Sequence, residues 1–181
     1  MTVEYAKNIN LLKNDNVLID TNIWQYIYGI EASEEDYGYS EVVFEHIFGR
    51  CGVYTNNQII SEFIHSNMKL AWKKYCNEHN LKLKNFEYKK DYQQTDDYKK
   101  RFDYEVESVK RDILPNVEFI SIDQDIIDDA LKMSSDLKDF NDRVIVQCAI
   151  KKKAKILTHD ADYNVCDNVE IISNNKAYFR T

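Results

Sequence analysis

The chain has 181 residues, 44% of them hydrophobic, with one proline and four glycines, which fits one domain with a proper core and excludes long disordered linkers. Its formal charge of -7 argues against a nucleic-acid partner held by bulk electrostatics alone. No run of eighteen apolar residues exists, and Met1 to Asn10 lacks a basic start followed by an apolar stretch, so the expectation is a cytoplasmic protein without a membrane span.

In chain order, Val17-Leu18-Ile19 forms a short apolar run between polar Asn14 to Asn16 and Thr21-Asn22. It reads as a buried parallel strand with Asp20 at its carboxyl end. Ile23 to Tyr28 and Ser40 to Phe48 have helical apolar spacing, with Ser40 as a cap and Gly29 and Gly49 as stops. Gly52 to Thr55 gives a second strand. Ile59, Ile60, Phe63, Ile64, Met68, Ala71, Trp72 and Tyr75 then describe a long amphipathic helix that carries Glu62 in its first turns. Asn80 to Asp112 is charged and rich in tyrosine, with a weaker helical stripe that starts from a Thr95 cap.

Pro115 stops that helix, and Val117 to Ile122 reads as a third strand, followed by a helix from about Asp123 to Ser135. The next helix takes Asn141 as its cap, holds Asp142 in its first turn and ends on Lys151, Lys152 and Lys153. Lys155 to Thr158 and Val169 to Ile172 complete the strands, the former delivering Asp160 beyond its end. Alternating strands and helices predict an α/β fold: three layers, α/β/α, around a central parallel sheet of about five strands. One domain covers 1–181, with a helical insertion at about 65–112.

Charge is unevenly spread. Between His65 and Asp112 there are 12 Lys or Arg against 9 Asp or Glu, so this stretch carries +3 and the remainder -10. Cys51, Cys76, Cys148 and Cys166 are widely spaced and form no CxxC pair, which suits small buried side chains better than zinc ligands.

Asp20 and Asp160 lie past strand ends and Asp142 at a helix start, where an open α/β sheet gathers its ligands. Glu62 completes a four-carboxylate cup if its helix begins at the same edge of the sheet. Four such groups within several Å of one another must take up protons or bind cations. Oxygen donors without His or Cys select hard ions, Mg²⁺ or Mn²⁺. Taken singly, an aspartate after a strand is more often a turn or helix cap than a ligand, and it is the conjunction that carries the functional reading.

The segments VLIDTNIW around Asp20, IISEFIHS around Glu62, DFNDRVIVQCAI around Asp142 and AKILTHDADY around Asp160 resemble, in order and rough spacing, a PIN-domain nuclease. The resemblance spans most of the chain outside the insertion, which is longer than the family's usual helical pair. It implies a metal-dependent phosphodiesterase acting on RNA, and many bacterial members serve as the toxin of a toxin–antitoxin pair. An antitoxin protein is then an expected partner, and a homodimer stays open.

On this reading Asp20, Asp142 and Asp160 are direct or water-mediated metal ligands, and Glu62 binds metal or orients the attacking water. Asp162 is placed second to Asp160, as a residue that could replace or assist it. Asn22 and Thr158 are candidates to hold a carboxylate or phosphate by hydrogen bonds. His159 reads as a solvent-facing loop residue. Trp72, Tyr75, Tyr88, Tyr92, Tyr98 and Phe102, mixed with lysines, read mainly as helix packing, with base stacking as the competing use.

Two other functions compete. A catalytically silent PIN-like RNA-binding or assembly module would keep the fold without turnover. A phosphotransfer domain would want an acid two residues after Asp20, where Asn22 stands.

Overall fold

The computed structural model describes residues 2–6, 15–30 and 36–179. Asn14, read as the polar boundary before the first predicted strand, lies outside them, as does much of Met1 to Asn10. The described strands form one parallel sheet: β1 (Thr2–Tyr5), β2 (Asn16–Ile19), β3 (Gly52–Thr55), β4 (Glu118–Phe119), β5 (Ala154–Leu157) and β6 (Glu170–Ser173). Their spatial order is β1-β6-β5-β2-β3-β4, and every pairing is parallel. Val17, Leu18, Ile19, Ile156, Leu157, Ile171 and Ile172 are fully buried, because helices cover both faces of this three-layer α/β/α fold and leave no polar side to the central strands.

The helices are α1 (Thr21–Tyr28), α2 (Tyr39–Glu41), which runs on into a π-helical turn at Val42–Ile47, α3 (Asn57–Glu78), α4 (Asp96–Ser108), α5 (Gln124–Lys132) and α6 (Phe140–Lys152). In the packing, α5 pairs with α6, while α3 contacts both α1 and α4. The Thr95 cap stands, its hydroxyl accepting from Tyr98 N at 3.1 Å. Two other caps fall elsewhere. Gly38 precedes α2 with φ of 80°, a left-handed conformation that glycine adopts without a Cβ penalty, so the helix starts before Ser40. Asp139, not Asn141, caps α6, accepting from Asn141 N at 2.7 Å.

The sheet has one strand more than the sequence suggested, since β1 pairs with β6 at its edge. The segment at Val117 to Ile122 contributes only two residues of strand. Between residues 65 and 112, Met68, Ala71, Tyr88 and Tyr92 bury one another in a second small core, flanked by Trp72, Tyr75 and Tyr98. Most of the aromatic series is therefore packing. Beside it, Glu105 is buried and accepts from Asn67 Nδ2 at 2.8 Å, with the Arg101 guanidinium 3.0 Å away.

Gly29 ends α1, its N–H donating to Gln25 O at 2.9 Å. A Cβ there would stand 2.4 Å from that same oxygen, and backbone cannot yield as a side-chain tip would. Gly29→Ala is therefore expected to cost about 1–3 kcal/mol, read as a fall in Tm of roughly 2–4 °C per kcal/mol. An unchanged melting curve would contradict this packing.

Candidate active site

The register sets Ile19 opposite Leu157 and Leu157 opposite Ile172. One residue further on, Asp20 N donates to Leu157 O and Thr158 N to Ile172 O, both at 3.0 Å. The carboxyl ends of β2 and β5 thus lie side by side, at the point where the strand order reverses direction. This crevice is where open parallel sheets bind ligands.

Asp20 is 5% exposed and caps α1. Its Oδ1 accepts from Thr21 N at 2.7 Å, while Oδ2 accepts from Asn22 Nδ2 at 2.8 Å and Thr158 Oγ1 at 2.7 Å. Thr158 Oγ1 in turn accepts from Asn22 Nδ2 and from Asp160 N, both at 3.0 Å. Asn22 Oδ1 accepts from His159 N at 3.0 Å. Both residues expected to support a carboxylate thus tie the loop after β5 to the aspartate after β2.

Despite these donors, burial pushes the Asp20 carboxyl up to about 6, with the charges of Glu62 and Asp160 acting in the same direction. Desolvation outweighs the hydrogen bonds here. Asp142, half-buried in the first turn of α6, is pushed up to about 7 by burial first and then by the charges of Asp20, Asp139 and Asp160. Its Oδ1 accepts from the buried Tyr163 hydroxyl at 3.2 Å. Glu62 is exposed on α3, with Oε2 accepting from Thr21 Oγ1 at 3.1 Å. Asp160 is exposed and caps the 3₁₀ turn Ala161–Val165, accepting from Asp162 N at 2.9 Å.

Asp20 is near enough to sense the charges of Glu62 and Asp160, and Asp142 to sense those of Asp20 and Asp160. Asp162 is exposed like Asp160, and its N–H donates to the Asp160 carboxylate at 2.9 Å. Among the described residues no ion pair neutralises any of these five acids. Nor do three His, Cys, Asp or Glu side chains among them converge closely enough to cage a metal. The possible ion donors at this edge of the sheet are carboxylate oxygens. Such a donor set fits Mg²⁺, which keeps several waters and takes one or two carboxylates.

Sequence reasoning missed several supports of the site. Tyr163 had no local signal beyond standing after Asp162. His159, expected in solvent, is half-buried. It stacks on Tyr37 at 4.3 Å between ring centroids and meets the edges of Tyr26 and Tyr39, with Nδ1 at 2.9 Å from the Tyr39 hydroxyl. Burial lowers its pKa. Asn175 Nδ2 donates to His159 O at 2.5 Å, and the Tyr178 hydroxyl donates to Asp160 O.

Thr158 is fully buried and its hydroxyl serves three partners, so Thr158→Val leaves Asp20, Asn22 and Asp160 N each short of one. The expected cost is roughly 1–3 kcal/mol, largely restored in Thr158→Ser. Equal Tm for Val and Ser variants would show that the hydroxyl is not what matters.

The fold and crevice define a parallel α/β domain with carboxylates at its topological switch point. The chain belongs to the PIN-domain family, whose model matches residues 17–168. No curated protein matches it. Among solved structures it is similar to a chain of VapBC2 from Rickettsia felis bound to a DNA fragment from its promoter, with a TM-score of 0.53 and 12% identity over 87% of this chain and 98% of that one. A toxin–antitoxin complex from Klebsiella pneumoniae gives a TM-score of 0.47 and 17% identity, covering 84% of this chain and 94% of that one. At 12% identity the likeness to the Rickettsia chain is one of fold. No helix among the described residues is long and apolar enough to cross a membrane.

Proposed function

We propose that the chain is a metal-dependent endoribonuclease that hydrolyses RNA phosphodiester bonds in the cytoplasm, as the toxin of a toxin–antitoxin pair whose antitoxin protein is its partner. The observation that carries this reading is the Asp20 carboxylate, buried at the switch point beside Asp142 with no described cation to neutralise either. Family membership supports the toxin role.

In this reading Asp20 and Asp142 would hold Mg²⁺ or Mn²⁺, with Asp160 and Asp162 as the further carboxylates that could join them. Such an ion, when bound, would supply Lewis acidity to the scissile phosphate and to the attacking water. Thr158 and Asn22 keep Asp20 in one rotamer by donating to Oδ2, and the Tyr163 hydroxyl does the same for Asp142. Glu62, exposed and accepting from Thr21, would orient the water or accept its proton.

The test is cleavage of single-stranded RNA with Mg²⁺ or Mn²⁺ by the parent chain and by an Asp20→Asn/Asp142→Asn double variant. Equal cleavage by both would refute the assignment. No cleavage by the parent, with RNA still bound, would favour the silent binding module.

A further inference from the structure

The insertion does more than pack against itself. A groove of about 460 Å³ opens between α3, α4 and the segment before α4, and Tyr88, Tyr98, Phe102, His65, Lys89 and Gln93 are among its lining residues. Pockets of roughly 300–1,000 Å³ take small organic ligands. Ser61 also lines it, and Ser61 and His65 flank Glu62 on α3 one residue before and three after. Residues three apart on a helix are surface neighbours, so the groove begins on the turn that carries a site carboxylate.

Its chemistry is selective. Tyr98 and Phe102 lie nearly parallel, with centroids 5.9 Å apart and planes at 17°. Phe102 remains 38% exposed, which leaves ring surface uncovered. Lys69 Nζ sits 4.0 Å from the Tyr88 centroid, and Lys89 is exposed at the edge with no ion pair among the described residues. None of the groove's lining residues is acidic, although the chain carries -7 overall. Ser61 and Gln93 add a hydroxyl and a carboxamide, the latter donating to the Tyr98 hydroxyl at 3.4 Å.

We propose that this groove is a nucleobase subsite, which stacks an unpaired base of single-stranded RNA on Phe102 and Tyr98 while Lys89 and Lys69 attract the adjoining phosphates. Aromatic faces rimmed by cations bind single strands in this manner with little sequence demand. An apolar protein side chain would fill the same space but would gain nothing from the lysines. The inference rests on the ribonuclease reading for its choice of ligand. It extends that reading by giving the acidic crevice, which repels phosphate, an adjacent place where substrate is held.

The test is fluorescence anisotropy of the full chain in metal-free buffer, where no turnover occurs, with a labelled hexaribonucleotide and a base-free sugar-phosphate chain of equal charge. The parent should bind the base-bearing strand roughly tenfold more tightly than the base-free one. Phe102→Ala and Phe102→Leu should remove most of that preference, Phe102→Tyr should keep it, and Lys89→Ala should weaken both probes. Phe102 is partly exposed on α4, and a matching Tm for the Leu variant checks that the fold is kept. Undiminished preference in the Leu and Ala variants, or equal parental affinity for the two probes, would overturn the subsite and leave the groove to a protein side chain. Absent cleavage by the parent with base-dependent binding intact would sink the nuclease reading while sparing this one.

Discussion

The Asp20→Asn/Asp142→Asn double variant should lose metal-dependent RNA cleavage by at least about a thousandfold, the factor that roughly 4 kcal/mol of charge stabilisation provides, and should melt higher than the parent in metal-free buffer at about pH 8. The two effects have one origin. Asp20 is buried, and its carboxyl is pushed up to about 6; Asp142 beside it is pushed up to about 7. Above those values the folded chain must carry both charges against desolvation and mutual repulsion. Asparagine keeps the shape and removes the charge. Part of the relief is spent, since Thr21 N, Asn22 Nδ2 and Thr158 Oγ1 all donate to Asp20, and a carboxamide turns one acceptor into a donor. A net gain of roughly 2 kcal/mol, or about 4–8 °C in Tm, is the expected balance. Lost activity with a lower Tm would mean that the carboxylates are structural.

The apolar run ending at Asp20, the long helix with Glu62 and the helix opening on Asp142 were legible because each has its own local pattern. Strands buried on both faces read as continuous hydrophobic runs, and α3 repeats its apolar positions for many turns. The edge strand β1 was not legible. Its four residues are only exposed to half-buried, and what makes them a strand is the pairing of Thr2 to Tyr5 with Glu170 to Ser173, a partner no local window contains.

The candidate site divides in the same way. Asp20, Asp142 and Asp160 follow from where strands and helices end. Their supports do not. Tyr163 reaches Asp142 across 21 positions, and the rings that half-bury His159 are Tyr26, Tyr37 and Tyr39, more than a hundred residues earlier. A histidine in a polar loop carries no mark of such a cage. The buried Asn67–Glu105 pair between α3 and α4 was equally invisible, because a charged residue in a charged helix reads as solvated until its partner is known. Which carboxylate of the Asp160-Ala161-Asp162 turn faces inward was open from sequence and depends on the turn itself, where Asp160 caps and Asp162 N donates.

The same buried charges predict an unusual pH profile for the metal-free chain. Asp20 and Asp142 are both raised above the ordinary 3.8, so between about pH 4 and 7 the folded state holds more protons than the unfolded one. Stability is then greatest below the unfolded value and is lost as pH rises through the folded values. Asp20 alone accounts for about 3 kcal/mol of that loss. Asp142 adds to it, though not by its whole shift, because part of that shift is repulsion from Asp20 and belongs to the pair. His159 opposes the trend: burial lowers its pKa, so folding disfavours its proton and its contribution grows as pH rises through its unfolded value. One histidine offsets only part of two carboxylates. Tm in metal-free buffer should therefore fall from about pH 5 to pH 8 in the parent and fall less in the double variant. Millimolar Mg²⁺ or Mn²⁺ should restore the parent's Tm at the upper end and do little at the lower end, where protons already occupy the carboxylates. At a hundredfold excess over Kd the restoration amounts to about 2.7 kcal/mol. A parental Tm that does not move with pH, or that responds to the ion equally at both ends, would show that these carboxylates are not the groups that protons and the ion compete for.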